Sequence, residues 1–252
     1  MLSIKNIDVS VDNRIVLKDF SLDINDGSVH VIMGPNGVGK STLSRVIMGD
    51  NHYQIINGDI LFNGENIKDM STDVRSRKGI FLVMQYPMEI DGGSNQDFLR
   101  TAMSSHCGKK VGLYDFILKC EKASDELKMD KNLIHRSLNV GFSGGEKKKN
   151  EVLQMKLLKP KFIILDELDS GLDVDSVKIV AKNVVEYKKE NPDVSILMIT
   201  HLPKLLEYKK PDYVHVVVDG KIRETGDYEL AKKIDKYGYN DYLNMTNIID
   251  EE

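Results

Sequence analysis

Two stretches of this sequence carry residues suited to holding a phosphate group. The first, GPNGVGKST, spans residues 34–42, with Gly34, Gly39, Lys40 and Ser41 at the spacing of a phosphate-binding loop. Glycines let the backbone wrap closely around a phosphate, lysine reaches the terminal phosphates, and the serine hydroxyl can bind Mg²⁺. The predicted nucleotide ligands are Gly34, Pro35, Asn36, Gly37, Val38, Gly39, Lys40, Ser41 and Thr42.

The second stretch, NVGFSGGEKKK at residues 139–149, places a serine and two glycines before a charged, helix-forming run. Unpaired N–H groups and the helix dipole favour negative charge at such a helix start. Ser143, Gly144 and Gly145 are therefore predicted to bind an anion. Because the chain already has one phosphate loop, the identity of this second anion is an open question at this point.

A candidate catalytic pair follows the apolar run of FIILDE, residues 162–167. The run predicts a buried strand that ends in Asp166 and Glu167, at the edge where open α/β sheets bind ligands. Asp166 is a candidate Mg²⁺ ligand, and Glu167 is a candidate acceptor that polarises the water attacking a terminal phosphate. Such a pair on its own is more often a helix cap or a solvated turn. Together with the phosphate loop it predicts a hydrolytic centre.

Gln85 and His201 close the apolar runs IFLVMQ and ILMITH. If these runs are strands of the same parallel sheet, both side chains lie at the edge that carries Asp166. An amide oxygen could join Ser41 and Asp166 around a metal, and an imidazole could donate to the terminal phosphate. Taken singly, each is more often an ordinary hydrogen-bonded residue at a strand end. The other motifs favour assigning both to the site.

The elements that must position these residues follow a recognisable order. Alternating strand-like runs at 2–11 and 15–24 precede a strand, 28–33, that leads into the phosphate loop. Later short apolar runs are typical of buried parallel strands. We predict an α/β fold whose catalytic core comprises residues 1–93 and 159–252, with a helical subdomain at 94–158. The polar tail, residues 237–252, is expected to pack loosely or to fray.

Composition excludes several classes of protein. With 252 residues and 41% hydrophobic content, the chain can form one large domain with a full core. Its 35 basic and 39 acidic residues argue against general binding to nucleic acid or anionic membranes. Cys107 and Cys120 lack disulfide or zinc spacing and are expected to be ordinary buried thiols. No run is long enough to span a bilayer and no leader pattern follows Met1, so we expect a cytoplasmic protein.

In their order along the chain, these motifs resemble those of ABC-type ATPases. The matching stretches are GPNGVGKST, Gln85, FSGGE, FIILDE, SGLD at 170–173 and His201. The resemblance implies an ABC-type P-loop nucleotide-binding domain with an antiparallel β subdomain, an inserted helical subdomain and MgATP hydrolysis. It also implies a head-to-tail dimer, in which Ser143, Gly144 and Gly145 of one copy contact the ATP on the other, and Asp173 runs along the dimer seam. Val11 replaces the aromatic residue that usually stacks on adenine, so modest ATP affinity is expected.

A closer resemblance links the chain to the SufC family, the ABC ATPases of Suf iron–sulfur cluster assembly. It rests on MQYPMEI, SNQDFL, RSLNVGFSGGEKKKNEVLQM, LDELDSGLD and KPDYVHVV. The resemblance implies SufB- and SufD-like scaffold partners, besides a second copy of the chain when ATP is bound. The alternative is the energising subunit of a membrane transporter. Translation factors and DNA-repair ATPases of this fold carry two cassettes or long coiled-coil insertions, which are missing from this sequence.

The segment QYPMEI, residues 85–90, distinguishes an ATPase that binds a scaffold from the energising subunit of a membrane transporter. It sets Tyr86, Met88 and Ile90 directly after Gln85, where apolar side chains would suit an interface with a partner. Packing inside the helical subdomain is the alternative for Tyr86 and Met88. Pro87 disfavours a continuing helix or a central strand here, which argues for the interface.

Overall fold

The computed structural model of the protein describes residues 1–200 and 209–243. The strands are β1 (Leu2–Val11), β2 (Arg14–Ile24), β3 (Val29–Met33), β4 (Gln54–Phe62), β5 (Glu65–Asn66), β6 (Ile80–Val83), β7 (Ile90–Ser94), β8 (Ser137–Leu138), β9 (Phe162–Asp166), β10 (Ser195–Ile199), β11 (Tyr213–Val218) and β12 (Lys221–Gly226). The α-helices are α1 (Lys40–Met48), α2 (Thr72–Lys78), α3 (Asn95–Cys107), α4 (Leu113–Glu126), α5 (Gly144–Leu158), α6 (Val174–Glu190) and α7 (Tyr228–Tyr237). A 3-10 helix covers Lys131–His135.

The chain divides into two compact units. The first unit consists of Met1–Leu82, Phe162–Glu167 and Asp193–Glu252, and the second consists of Val83–Lys161 and Leu168–Pro192. The first unit therefore holds the phosphate loop and the acidic pair, whereas the second holds Ser143.

One layer of the first unit is an antiparallel sheet in the order β2-β1-β4-β5. In β1, Leu2 lies opposite Ile24 on one neighbouring strand and Phe62 on the other. These three side chains are buried, because alternate residues of a strand point to the same face and here that face covers the core. The predicted antiparallel β subdomain is confirmed.

The second layer, within the described residues, is a sheet in the order β12-β11-β3-β10-β9-β6. Both β3 and β9 run parallel to β10, which lies between them, and Asp166 is in register with Ile199. Every residue of these three strands is buried, as expected for parallel strands covered on both faces. Because β3 leads into the phosphate loop and β9 ends at Asp166, both segments emerge at the same edge of the sheet.

The helix that follows the phosphate loop begins at Lys40 and ends at Met48. Four carbonyl groups at a helix end lack partners within the helix. The buried guanidinium of Arg75 satisfies two of them, since it donates to the carbonyl oxygens of Val46 and Ile47 at 2.8 and 2.9 Å. Arg75 thus holds the far end of the helix whose first residue is Lys40.

The second unit is mainly helical. It contains α3, α4 and α5, in the region where the sequence predicts an inserted helical subdomain, and α6 also packs here. The ammonium of Lys156 in α5 donates to Asn183 of α6 at 2.7 Å. Strands β7 and β8 form a small antiparallel pair in the same unit. The predicted fold class is confirmed by this arrangement of an α/β core, an antiparallel sheet and inserted helices.

One local expectation is wrong, and a second fails at a single residue. Cys107 is exposed rather than buried, because it occupies the last turn of α3, whereas Cys120 is buried as expected. The tail does not pack loosely at Tyr242, which is 6% exposed and donates a hydrogen bond from its phenol to Glu224. Residues 244–252 lie outside the described part of the chain. Within residues 1–200 and 209–243, no helix is both long and apolar enough to cross a membrane.

Candidate nucleotide site

The phosphate loop lines a cleft in the first unit. The residues around this cleft are Val16, Asn36, Gly37, Gly39, Lys40, Ser41, Thr42 and Glu167. Gly37 and Gly39 have φ angles of 82° and 98°, which residues other than glycine rarely adopt. Gly34 is needed for a different reason, since a Cβ there would lie 2.2 Å from the carbonyl oxygen of Val217. Local backbone geometry and close packing together account for the glycines of this loop.

Lys40 is held against the loop that precedes it. Its side-chain nitrogen donates to the carbonyl oxygens of Gly34 and Pro35, at 2.8 and 2.7 Å. Burial lowers the pKa of Lys40 to about 8, although the carboxylates of Glu167 and Asp166 act in the opposite direction. An ammonium group has three N–H donors, so Lys40 can hold both carbonyl groups and still donate to a phosphate.

A carboxylate and two hydroxyl groups meet beside Lys40. Ser41 Oγ lies 3.3 Å from Asp166 Oδ1, and Ser44 Oγ donates to Asp166 Oδ2 at 2.8 Å. Burial raises the pKa of Asp166, and the hydrogen bonds from Ser44 and Ser41 oppose that shift. Mg²⁺ is bound through oxygen atoms, so the Ser41 hydroxyl and the Asp166 carboxylate are a donor set that fits it.

Ser44 is a residue that the sequence argument missed. It is fully buried at the base of this cluster, and its hydroxyl is also 2.8 Å from the carbonyl oxygen of Ser41. Residues three apart on a helix share a face, so the spacing of Ser41 and Ser44 was a usable signal. Ser44 positions Asp166 rather than the substrate.

Glu167 has an unusual backbone conformation. Its φ angle is 45°, in the left-handed region that few non-glycine residues occupy. Its N–H donates to the carbonyl oxygen of Ile199 at 2.9 Å, which ties the residue to β10. Residues held in such conformations cluster at functional sites, where the surrounding structure maintains the strain. Glu167 lines the same cleft as Lys40, as the hydrolytic role requires.

In the second unit, Ser143 is the N-cap of α5. Its hydroxyl accepts from the N–H of Glu146, and the Glu146 carboxylate accepts from the N–H of Ser143 at 2.7 Å, which completes a capping box. This reciprocal pair fixes where α5 begins. Anion binding by Ser143, Gly144 and Gly145 stays a prediction.

The two glycines after Ser143 are also required by packing. A Cβ on Gly144 would lie 2.9 Å from the carbonyl oxygen of Gly171, and one on Gly145 would lie 2.6 Å from Ser176 Oγ. The start of α5 therefore packs directly against the loop 170–173 and the first turn of α6 in the same chain.

Asp173 caps α6. Its carboxylate accepts from the N–H of Asp175 at 3.0 Å, from the N–H of Ser176 at 2.8 Å and from the Ser176 hydroxyl at 2.7 Å. The hydrogen bonds from Ser176 lower the pKa of Asp173. This carboxylate thus has a structural role within the chain, and its place at a dimer seam stays a prediction.

The remaining predicted residues are distributed as follows. Gln85 is half-buried, two residues beyond β6, and belongs to the second unit, so its metal contact stays a prediction. His201 lies outside the described residues. Val38 packs on the hydrophobic core of the first unit. The apolar residue at the cleft is Val16 of β2, and the adenine position at Val11 stays a prediction.

Comparisons with known proteins identify the family. The sequence profile of the family described as ABC transporter matches residues 17–170. The chain belongs to this family of ATP-binding cassettes. SufC of Escherichia coli K12, described as a probable ATP-dependent transporter, is 46% identical over 243 residues, which cover 95% of this chain and 97% of that protein. The predicted resemblance to SufC-type ABC ATPases is confirmed, and the chain is an ATPase by class.

Two further matches agree with this assignment. A probable ABC transporter ATP-binding protein of Streptococcus pyogenes is 47% identical over 243 residues, covering 95% of this chain and 93% of the relative. The dimeric structure of the bacterial ABC transporter cassette MJ0796 superimposes with a TM-score of 0.78 over 90% of this chain and 99% of that one. At 17% identity, the second match supports the fold of this ABC ATPase and nothing more specific.

Proposed function

We propose that this ABC ATPase hydrolyses MgATP in the cytoplasm to remodel a SufB- and SufD-like scaffold on which iron–sulfur clusters are assembled. The observation that carries the hydrolytic part is the convergence of Lys40, Ser41, Asp166 and Glu167 on the phosphate-loop cleft. The scaffold part rests on the 46% identity with SufC over 95% of the chain.

In this proposal each side chain has one task. Lys40 reaches the β- and γ-phosphates with its remaining N–H, and the loop amides hold the phosphate oxygens. Ser41, Asp166 and Gln85 would hold Mg²⁺. When bound, this cation would neutralise part of the phosphate charge. Glu167 accepts a hydrogen bond from the attacking water and orients it towards the γ-phosphate. His201 donates to the γ-phosphate.

The second half of each site comes from another copy of the chain. Ser143, Gly144 and Gly145 of that copy close over the γ-phosphate, and Asp173 runs beside the seam. Support comes from the helix start at Ser143, which favours an anion. ATP binding thereby draws two copies together, and hydrolysis releases them.

The scaffold partner binds a docking surface formed by Tyr86, Met88 and Ile90. These side chains are 72%, 63% and 48% exposed, which contradicts the alternative that Tyr86 and Met88 pack inside the helical subdomain. Exposed aromatic and methionine side chains are typical of the centres of protein interfaces. The partner is therefore expected to present an apolar helix.

The docking surface belongs to the second unit. Its backbone is hydrogen-bonded to other residues of that unit, whereas its side chains are exposed. The carbonyl oxygen of Met88 accepts from the side chain of Asn139 at 2.8 Å, and Glu89 pairs with Lys147 of α5 at 2.6 Å. A partner that binds here is thus connected to the helix that begins after Ser143.

Isolation of the endogenous protein with whatever binds it tests the proposed function. Recovery of SufB- and SufD-like proteins, in the presence of MgATP, is the expected result. The competing proposal, the energising subunit of a membrane transporter, predicts an integral membrane protein as the main partner instead. That second outcome would remove the scaffold part of the proposal and leave the hydrolytic part intact.

A further inference from the structure

The loop that leads into Ser143, residues 139–142, is anchored at its start and at its end. At the start, the buried side chain of Asn139 donates to the carbonyl oxygen of Met88 at 2.8 Å. At the end, the capping box of Ser143 and Glu146 fixes the first turn of α5. The path of the chain between these two anchors decides how Ser143 is presented.

Arg136 holds the middle of this loop. Its Nη2 atom donates to the carbonyl oxygen of Val140 at 2.9 Å and to that of Gly141 at 3.4 Å. Its guanidinium carbon lies 5.3 Å from the centre of the Phe142 ring, at the distance of a cation–π contact. One side chain therefore contacts each of the three residues that come directly before Ser143.

The backbone of the loop bends closely around this guanidinium. Gly141 has a φ angle of 67°, and a Cβ on it would lie 2.9 Å from Arg136 Nη2. Asn139 also has a positive φ angle, 61°, which residues other than glycine adopt only where their surroundings hold them. The backbone of Arg136 is fixed in turn, because its carbonyl oxygen accepts from the N–H of Asn95 at 2.8 Å.

The contacts of Arg136 should matter more for the shape of the loop than for the stability of the fold. Arg136 and Gly141 are exposed, so water can replace the guanidinium at the carbonyl groups if the side chain is removed. Phe142 is buried and keeps the end of the loop on the second unit. Removal of the guanidinium should therefore leave the protein folded and release the loop from its single path.

We propose that Arg136 is a positioning residue for the anion site at Ser143, and that it fixes the loop 139–142 so that Ser143 meets the ATP on the neighbouring copy in one orientation. The inference rests on the proposed arrangement in trans and adds to it a residue seven positions before Ser143. Arginine suits this role because its planar guanidinium can donate to carbonyl groups while it lies on an aromatic ring.

The test places Arg136→Gln in one or the other chain of a mixed dimer. In a mixture of Lys40→Ala with Ser143→Arg, the single intact site combines the phosphate loop of the second variant with Ser143 of the first. Arg136→Gln is added once to the Lys40→Ala chain and once to the Ser143→Arg chain. Only the first combination should lose restored ATPase activity, by about 3- to 10-fold, as expected for the loss of an exposed hydrogen bond.

Lys131→Gln is the matched control. It removes another positive charge five residues from Arg136, on a side chain that is 66% exposed, and it should leave the restored activity unchanged in either chain. The melting temperature of Arg136→Gln should stay close to that of the unchanged protein. Equal loss of activity with Arg136→Gln in either chain would indicate a purely structural role and would overturn the proposal, as would no loss in either.

A second variant covers the case in which Arg136→Gln does not fold. Arg136→Lys keeps the charge but not the planar fork, and it should show the same dependence on the chain that carries it, with a smaller loss. Restored activity that ignores the location of Arg136→Lys would also overturn the proposal. If Lys40→Ala and Ser143→Arg fail to restore each other, the arrangement in trans is wrong and the role of Arg136 fails with it.

Discussion

Ser41 Oγ and Asp166 Oδ1 lie 3.3 Å apart, although 125 residues separate them along the chain. The strands that deliver them, β3 and β9, both run parallel to β10 and end at the same edge of the sheet. A hydroxyl and a carboxylate at this distance are placed to share one hard cation. The proposed metal site of this ATPase would thus be a product of strand order rather than of local spacing.

Lys40 and Glu167 should have separable roles. Lys40→Ala is expected to weaken ATP binding by ~100-fold, because the ammonium charge and its charge-assisted hydrogen bond to phosphate are lost together. Glu167→Gln should keep ATP bound while slowing hydrolysis ~100- to 1,000-fold, because only the acceptor that orients water is removed. Equilibrium nucleotide binding and single-turnover hydrolysis measure the two effects.

The control for that pair is Lys182→Ala, which removes a lysine that is 71% exposed on α6 and is expected to change neither quantity. A Glu167→Gln protein that hydrolyses ATP at the original rate would remove Glu167 from its assigned role.

The composite site predicts complementation between two inactive variants. Ser143→Arg leaves the phosphate loop intact but blocks its action on a neighbour, whereas Lys40→Ala disables the loop and keeps Ser143. Each variant alone should be inactive, and a mixture should regain activity because one intact site forms in a mixed dimer. The rate per subunit of the unchanged protein should also rise steeply with its concentration. A mixture that stays inactive at every ratio would contradict the arrangement in trans.

The docking surface predicts that partner binding and ATP binding can be separated. Tyr86→Ala combined with Met88→Asp should weaken capture of a SufB- or SufD-like partner at least ~10-fold, since exposed apolar anchors dominate interface energies. ATP binding by the isolated chain should stay within about twofold, because neither residue belongs to the phosphate loop. A pull-down and a nucleotide titration on the same protein measure both.

The matched control alters a second exposed apolar pair, on α4. Tyr114 and Leu118 are 73% and 49% exposed, and Tyr114→Ala with Leu118→Asp should leave partner capture unchanged. Equal loss of capture in both double variants would show that the effect is not specific to the docking surface.

ATP binding should weaken as pH rises above 8. The pKa of Lys40 is lowered to about 8 by burial, so the charged form that attracts phosphate predominates at pH 7 and becomes a minority at pH 9. Bound phosphate favours the ammonium, so binding at pH 9 requires proton uptake, and we expect about tenfold weaker binding there than at pH 7. The terminal phosphate of ATP is already mostly ionised at pH 7 and only gains negative charge towards pH 9, so its titration does not weaken binding.

Lys40→Arg is the control for this pH dependence. A guanidinium does not titrate below pH 12, so this variant should bind ATP more weakly but with a flat profile between pH 7 and 9. The Kd at each pH, measured at constant ionic strength, is the readout. A flat profile for the unchanged protein would mean that Lys40 remains charged throughout.

The local parts of the site could be predicted because their causes are local. Gly37 and Gly39 adopt positive φ within the loop itself, and the capping box of Ser143 and Glu146 spans a single helical turn. Backbone conformation and capping depend on neighbours in the chain, so a single sequence is enough to indicate them. The exposure of Tyr86 and Met88 also followed from a local cause, the proline between them.

Other features could not be predicted from spacing. Gly144 and Gly145 appeared to serve only an anion, yet they also accommodate the loop 170–173 and Ser176, which approach from a distant part of the chain. Val16 lines the cleft because the alternation of side chains along β2 decides which of them faces it, whereas the adenine position at Val11 stays a prediction. The polar composition of the tail predicts loose packing, but one ring in its described part, Tyr242, is buried against the core.

The sequence by itself determined the chemistry of this ABC ATPase, the order of its motifs and the elements that carry them. A phosphate loop, an acidic pair after a strand and a serine at a helix start each depend on residues that are adjacent in the chain. Tertiary structure alone decided which distant residues meet, such as Ser44 with Asp166 and Tyr242 with Glu224. The physical reason is that such contacts are set by strand order and by the packing of distant segments, which no local pattern of residues encodes.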